Sequence, residues 1–127
     1  MIYGIGTDIV SISRMQTGLE QYGVRFAQRI LSPEEWESFS HHSQPAKLLA
    51  KRFAAKEAFG KALGTGVAVP ATLHALSVLH DAQGKPYFGY NSPLAQHLLS
   101  LGLRAQLSLS DEAEFAVAFV LLEYHHV

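Results

Sequence analysis

The chain contains no cysteine. That excludes disulfides, thiolate metal sites and a cysteine nucleophile, and it fits a reducing compartment. Tryptophan occurs once, methionine twice and proline five times among 127 residues. No apolar run approaches the length of a membrane span. The first residues, MIYGIGTDIV, lack a basic leading region, and Gly4, Gly6 and Asp8 interrupt their apolar stretch, so they do not read as a signal peptide. The net charge of −1 is too small to mark a general nucleic-acid binder. What remains is an ordinary globular composition, 48% apolar and 17% charged, with a length suited to one domain spanning residues 1–127.

Charge is unevenly spread. Residues 1–66 hold eight Lys/Arg and six Asp/Glu, whereas residues 67–127 hold two and five. Arg14, Arg25 and Arg29, with Lys47, Lys51 and Arg52, therefore form a candidate surface for an anionic ligand or an acidic protein. Most charge of this kind is simply solvated.

The stretch from Pro45 to Gly66 predicts a helix over residues 46–63, built from strong helix formers and stopped by Gly64 and Gly66. At about 100° per residue, Leu48, Leu49, Phe53, Phe59 and Leu63 share one arc. Ala50, Ala54, Ala58 and Ala62 form a ridge on the other side, where a second element can come close. Arg52 and Lys56 project into the apolar arc, where long side chains are expected to snorkel outward, and Glu57 lies at its edge. Periodicity leaves two readings of Glu57: an i, i+4 pair with Lys61, or a functional carboxylate.

Ahead of that helix, residues 1–12 alternate like a strand, with Ile2, Gly4, Gly6, Asp8, Val10 and Ile12 on one face. Asp8 thus sits among buried positions and needs a partner, a cation or a proton, unless it lies at a frayed end. Its two preceding glycines permit close approach by a ligand or a neighbouring strand. Ser13 with Gln16 suggests a capping box for a helix ending at Gly23, followed by a short helix over residues 24–31. Ser32-Pro33-Glu34-Glu35 signals another helix start. His41 and His42 are adjacent, point apart on regular structure, and read as loop residues. Beyond a loop at residues 64–72, strands are predicted over 73–81 and 85–88, a helix over 94–101, and strands over 104–109 and 114–123. The last strand is apolar on both faces, so it is central or lies in a subunit interface. The fold class expected is α+β, a mostly antiparallel sheet packed on a long central helix.

Three segments together resemble the holo-acyl-carrier-protein synthases, the small class of 4′-phosphopantetheinyl transferases. Gly4-Ile5-Gly6-Thr7-Asp8 is similar to that family's G-x-G-x-D signature. Phe53-Ala54-Ala55-Lys56-Glu57-Ala58-Phe59-Gly60-Lys61 resembles its [WF]-x-x-K-E-A-x-x-K helix, and Leu107-Ser108-Leu109-Ser110 its C-terminal S-L-S segment. The resemblance implies the 4′-phosphopantetheinyl transferase fold and a cytoplasmic enzyme of fatty acid and lipid metabolism. Such an enzyme moves the phosphopantetheine group from coenzyme A to a serine of apo-acyl-carrier protein, with release of 3′,5′-ADP.

It further implies Mg²⁺ held by Asp8 and Glu57, a hard cation suited to oxygen donors. Glu57, directly or through a water on the ion at Asp8, is the implied general base. Lys61 would meet a phosphate, with Gly64 and Gly66 letting backbone N–H groups reach the same anion. Lys85 and Pro86 would line the nucleotide cleft, and Ser108 and Ser110 would bond the phosphates. Arg14, Arg25 and Arg29 would steer the acidic carrier. A homotrimer with sites between subunits is implied as well. Gln106 and Asp111 stand where many members have histidines, which removes two positive charges, and Asp111 reads as a turn residue. The competing reading is a non-catalytic coenzyme A or carrier-protein binding module.

Overall fold

Strand β1, Ile2–Ser11, is straight from Gly4 onward, and a register shift sets Ile2 apart from the rest. Gly4, Gly6, Asp8 and Val10 face inward, while Ile5, Thr7 and Ile9 face out. In the computed structural model, which describes residues 1–125, helix α1 (Ile12–Tyr22) follows directly. Its N-cap is Ser11, accepting from the Arg14 N–H, rather than the expected Ser13. The reason is that the strand persists to Ser11, and the Ile12 N–H is then taken by the Glu114 carbonyl.

Helix α2 covers Val24–Ile30. The Ser32 capping box forms as the sequence predicts, but it opens a 3₁₀ turn, Pro33–Glu35, before a short helix α3, Trp36–Ser40. Helix α4, Pro45–Leu63, ends on Gly64 in the left-handed conformation, φ 91°. After the loop at residues 64–72 comes a 3₁₀ turn, Leu73–Ala75, where the sequence suggested strand. Strand β2 is Leu76–His80 and β3 is Pro86–Tyr90, with the proline at the strand start. Helix α5, Ser92–Leu101, is capped by the Asn91 side chain. Strands β4, Leu103–Asp111, and β5, Phe115–Tyr124, complete the chain.

The main sheet has the order β1-β5-β4 with both pairings antiparallel, and β2-β3 form a separate hairpin. β5 is therefore the central strand, one of the two readings that its apolar pattern allowed. Its inward residues Ala116, Ala118, Val120 and Leu122 are buried beneath α4. The outward face is left apolar and uncovered: Ile5 and Ile9 are 58% and 62% exposed, and Val117 and Phe119 lie beside them.

The glycines of β1 set the geometry of the site. A Cβ on Gly4 would stand 2.1 Å from the Ala62 carbonyl oxygen, and one on Gly6 would stand 2.0 Å from that of Ala58. The expected close neighbour, a ligand or a strand, is in fact α4, and the alanine ridge is the surface that meets it. Small residues on both sides bring the two backbones together, so that Asp8 on the strand and Glu57 on the helix share one cavity.

Candidate active site

Asp8 and Glu57 open onto a cavity of about 510 Å³, walled by Ile9, Val10, Met15, Phe26, Ile30, Phe53 and Leu73 and carrying Arg14 and Arg29. The two carboxylates come from different elements and lie near enough to repel. Burial and then the Asp8 charge push the Glu57 carboxyl above the usual glutamate range, and Lys61 opposes them. Lys61 does not pair with Glu57 as i, i+4 spacing allowed. Its ammonium donates to the Thr7 carbonyl at 2.9 Å and to Asp8 Oδ1 at 3.2 Å. The side chain stays 56% exposed, so it is tethered at the cavity rim rather than buried.

Two half-buried carboxylates share the cavity with Arg14 and Arg29, but among the described residues Lys61 is the cation paired with either of them. No group of three or more His, Asp or Glu ligands occurs among the described residues. The donor set is thus two hard oxygens with room for other ligands. That suits Mg²⁺, which keeps waters and substrate oxygens, and does not suit a closed structural metal site.

The other predicted residues are dispersed. Arg25 lines a neighbouring cavity of about 670 Å³ with Tyr22, Phe26, Arg29 and His74. The N–H groups of Gly64 and Gly66 both donate to the Gly60 carbonyl. They are consumed by the helix cap and do not face an anion as expected. Lys85 and Pro86 lie at the β2–β3 turn, where Pro86 pairs with His80. Burial, then the cations Arg52 and Lys51, hold the His80 imidazole below its usual value, and β2 packs against α4.

Ser108 and Ser110 pair with Phe119 and Val117 and face outward, away from α4. They stand on the opposite side of the sheet from Asp8, whose partners in register are Ala118 and then Leu109. Gln106 faces outward too, donating to Glu123, which also pairs with Arg104. Asp111 is not a turn residue: it ends β4 and pairs with Lys51 at 3.1 Å and Lys47 at 3.6 Å. The hydrogen bond from Lys51 leads in holding its carboxyl below the usual range. One carboxylate thus offsets one of the two positive charges there.

Arg52 and Lys56 also depart from expectation, because neither reaches solvent. Both are buried against Glu35, itself 1% exposed. The sequence carried a signal for this. Two cations in an apolar arc demand a buried acid, and Glu35, already marked as a capping residue, was available. Its distance in the chain concealed the pairing.

The comparisons with known proteins agree with one another. A family model described as the 4′-phosphopantetheinyl transferase superfamily matches residues 4–120. A holo-[acyl-carrier-protein] synthase of Aromatoleum aromaticum is 59% identical over 123 residues, covering 97% of this chain and 98% of that protein. The crystal structure of holo-[acyl-carrier-protein] synthase from Neisseria meningitidis superposes with a TM-score of 0.93 at 48% identity, covering 97% of this chain and 99% of that one. The synthase of Bacillus anthracis, solved in complex with coenzyme A (3′,5′-ADP), gives a TM-score of 0.82 at 35% identity, with 98% of each chain covered.

Proposed function

The chain belongs to the 4′-phosphopantetheinyl transferase superfamily, and on that premise we propose that it is the enzyme that converts apo- to holo-acyl-carrier protein. It transfers the 4′-phosphopantetheine group of coenzyme A to a carrier serine. The serine oxygen forms a bond to the pantetheine-side phosphorus, the bond from that phosphorus to the bridging oxygen breaks, and 3′,5′-ADP leaves with the electron pair. Residues 1–127 act as one transferase domain. The observation that carries this reading is the convergence of Asp8 and Glu57, from two elements, on a single cavity rimmed by Lys61 and Arg14.

Asp8 and Glu57 would hold Mg²⁺, which when bound supplies charge neutralisation for the diphosphate. The roles of the protein's own groups follow from their placement. Glu57, directly or through a water held at Asp8, would accept the serine proton. Lys61 lies next to Asp8 on a flexible, exposed stem and can turn its ammonium to a phosphate once that carboxylate is otherwise neutralised. The apolar walls exclude water from the reacting phosphorus.

Arg14, Arg25 and Arg29 form the carrier side, supported by their position on α1 and α2 around the two adjoining cavities. Replacing Arg14 by glutamate is expected to raise the carrier KM and flatten its salt dependence, leaving the coenzyme A KM unchanged; steady-state kinetics at two ionic strengths check this. Lys85 and Pro86 would border the nucleotide.

Because Ser108 and Ser110 face away from their own chain's carboxylates, any phosphate they bond belongs to the site of another copy. The uncovered apolar face around Ile5, Ile9, Val117 and Phe119 supports the same assembly, a homotrimer with sites between subunits. A cytoplasmic place in fatty acid synthesis accords with the absence of cysteine and with the absence of any described helix long and apolar enough to cross a membrane.

The deciding experiment is intact-mass spectrometry of apo-acyl-carrier protein incubated with this protein and coenzyme A, with and without Mg²⁺. A gain of one phosphopantetheine only with the metal is expected. Coenzyme A binding without any gain would instead identify a binding module.

A further inference from the structure

Lys56 immediately precedes Glu57, yet its side chain leaves α4 on another side and is 0% exposed. Burying an ammonium costs several kcal/mol even after relaxation, roughly the scale at which an apolar replacement becomes competitive. Burial accordingly holds the Lys56 amine below its usual value, against the pull of Glu35. Glu35 alone does not explain the lysine, because that carboxylate also accepts from the Ser32 and Val78 N–H groups and lies 3.2 Å from Arg52 Nε.

The ammonium has three donors, and two of them leave the ion pair altogether. They reach the Ile30 carbonyl at 2.7 Å and the Leu73 carbonyl at 2.9 Å. Ile30 ends α2, where helix carbonyls lack intrahelical partners, and Leu73 begins the 3₁₀ turn. The side chains of both residues line the cavity that holds Asp8 and Glu57. α4 is thus fastened on two sides. The alanine–glycine contact with β1 sets Asp8 against Glu57, and Lys56 sets the facing wall, including Arg29 next to Ile30.

Resting on the functional reading above, we propose that Lys56 is a positioning residue that pins the carrier-side wall of the cavity to the helix bearing Glu57. It touches neither substrate nor the reacting atoms. Its loss frees Ile30 and Leu73 to shift while the Asp8–Glu57 pair stays in place, so carrier recognition suffers more than coenzyme A binding.

The test compares Lys56→Met, Lys56→Gln and Glu35→Gln with the unsubstituted protein, using apo-acyl-carrier protein, coenzyme A and Mg²⁺. Loss of a well-placed contact surface weakens partner binding, so Lys56→Met is expected to raise the carrier KM roughly tenfold. The coenzyme A KM and the kcat at saturating carrier should stay within about twofold. Amide hydrogen exchange should quicken over residues 24–31 and 71–76 but not over residues 2–11. Lys56→Gln, which keeps an amide donor for one carbonyl, should fall between. Glu35→Gln, which leaves both carbonyl bonds, should lower Tm without moving the carrier KM.

A fall in kcat that only tracks the folded fraction, with both KM values unmoved, would mean a merely structural lysine and overturn the proposal. Unchanged exchange over residues 24–31 and 71–76 would overturn it as well. If Lys56→Met does not fold, Lys56→Gln decides by the same readouts. If the unsubstituted protein transfers nothing, the functional reading fails, and the exchange pattern still decides whether Lys56 pins the wall.

Discussion

Helix α4 carries two lysine–carboxylate groupings within one and a half turns, and they are built on opposite plans. Around Lys56 nearly everything is met: three acceptors take the ammonium, and Glu35 serves two backbone N–H groups and two cations, although Arg52 Nε, 3.2 Å from that carboxylate, is buried without a hydrogen bond. Around Lys61 everything is left open. One half-exposed ammonium serves Asp8, while Glu57 lies beside a like charge with its proton affinity raised. A saturated cluster is committed to the fold. An unsaturated one stores repulsion that a cation can relieve, which is how perturbed groups in a cleft come to mark a site. Residue types alone do not separate the two, since each contains a lysine and a carboxylate.

The comparison breaks most readily at its closed end. Glu35→Ala strands two buried cations and two backbone donors, and unfolding in urea should show a loss of about 3–5 kcal/mol. Asp8→Ala should cost the fold almost nothing by the same measurement, because it removes a repulsion as well as one exposed ion pair. If the two variants were equally destabilised, the contrast between them would vanish.

Activity should divide the other way. Asp8→Ala and Glu57→Ala are each expected to lose at least ~10²-fold in turnover with circular dichroism unchanged, the scale of removing an electrostatic group at a reacting centre. Near-normal turnover in either would put the reacting site elsewhere on the molecule.

The finest test is one of proton affinity. Glu57 binds its proton more tightly folded than unfolded, so ionising it works against the fold. That cost grows as pH rises through the unfolded value and is complete above the folded one. Carbon-13 NMR titration of the Glu57 carboxyl in the free protein should find it above the ordinary glutamate range. Asp8→Asn should bring it down, and Lys61→Ala should carry it higher still. An unmoved titration in Asp8→Asn would mean that burial alone raises it.

Much of the fold was legible because it rests on local chemistry. Gly64 stops α4, Ser32 caps the turn after α2, Pro86 starts β3, and the doubly apolar β5 is the central strand. Misreadings arose where a distant partner decided. Ser11 replaced Ser13 as the cap because β5 keeps β1 extended. Asp111 became an ion-pair residue because α4 presents Lys47 and Lys51 beneath it.

The sequence by itself therefore determined most of the elements, the small-residue surfaces of β1 and α4, and the family motifs that single out Asp8, Glu57 and Lys61. Those follow from periodicity and from residue chemistry within a few positions along the chain. Only the tertiary structure decided which lysine is buried and which is open, that Lys61 answers Asp8 rather than Glu57, and that Ser108 and Ser110 face away from the site. Each depends on which groups about twenty to a hundred residues distant arrive at the same place, and on how much water remains there to screen them.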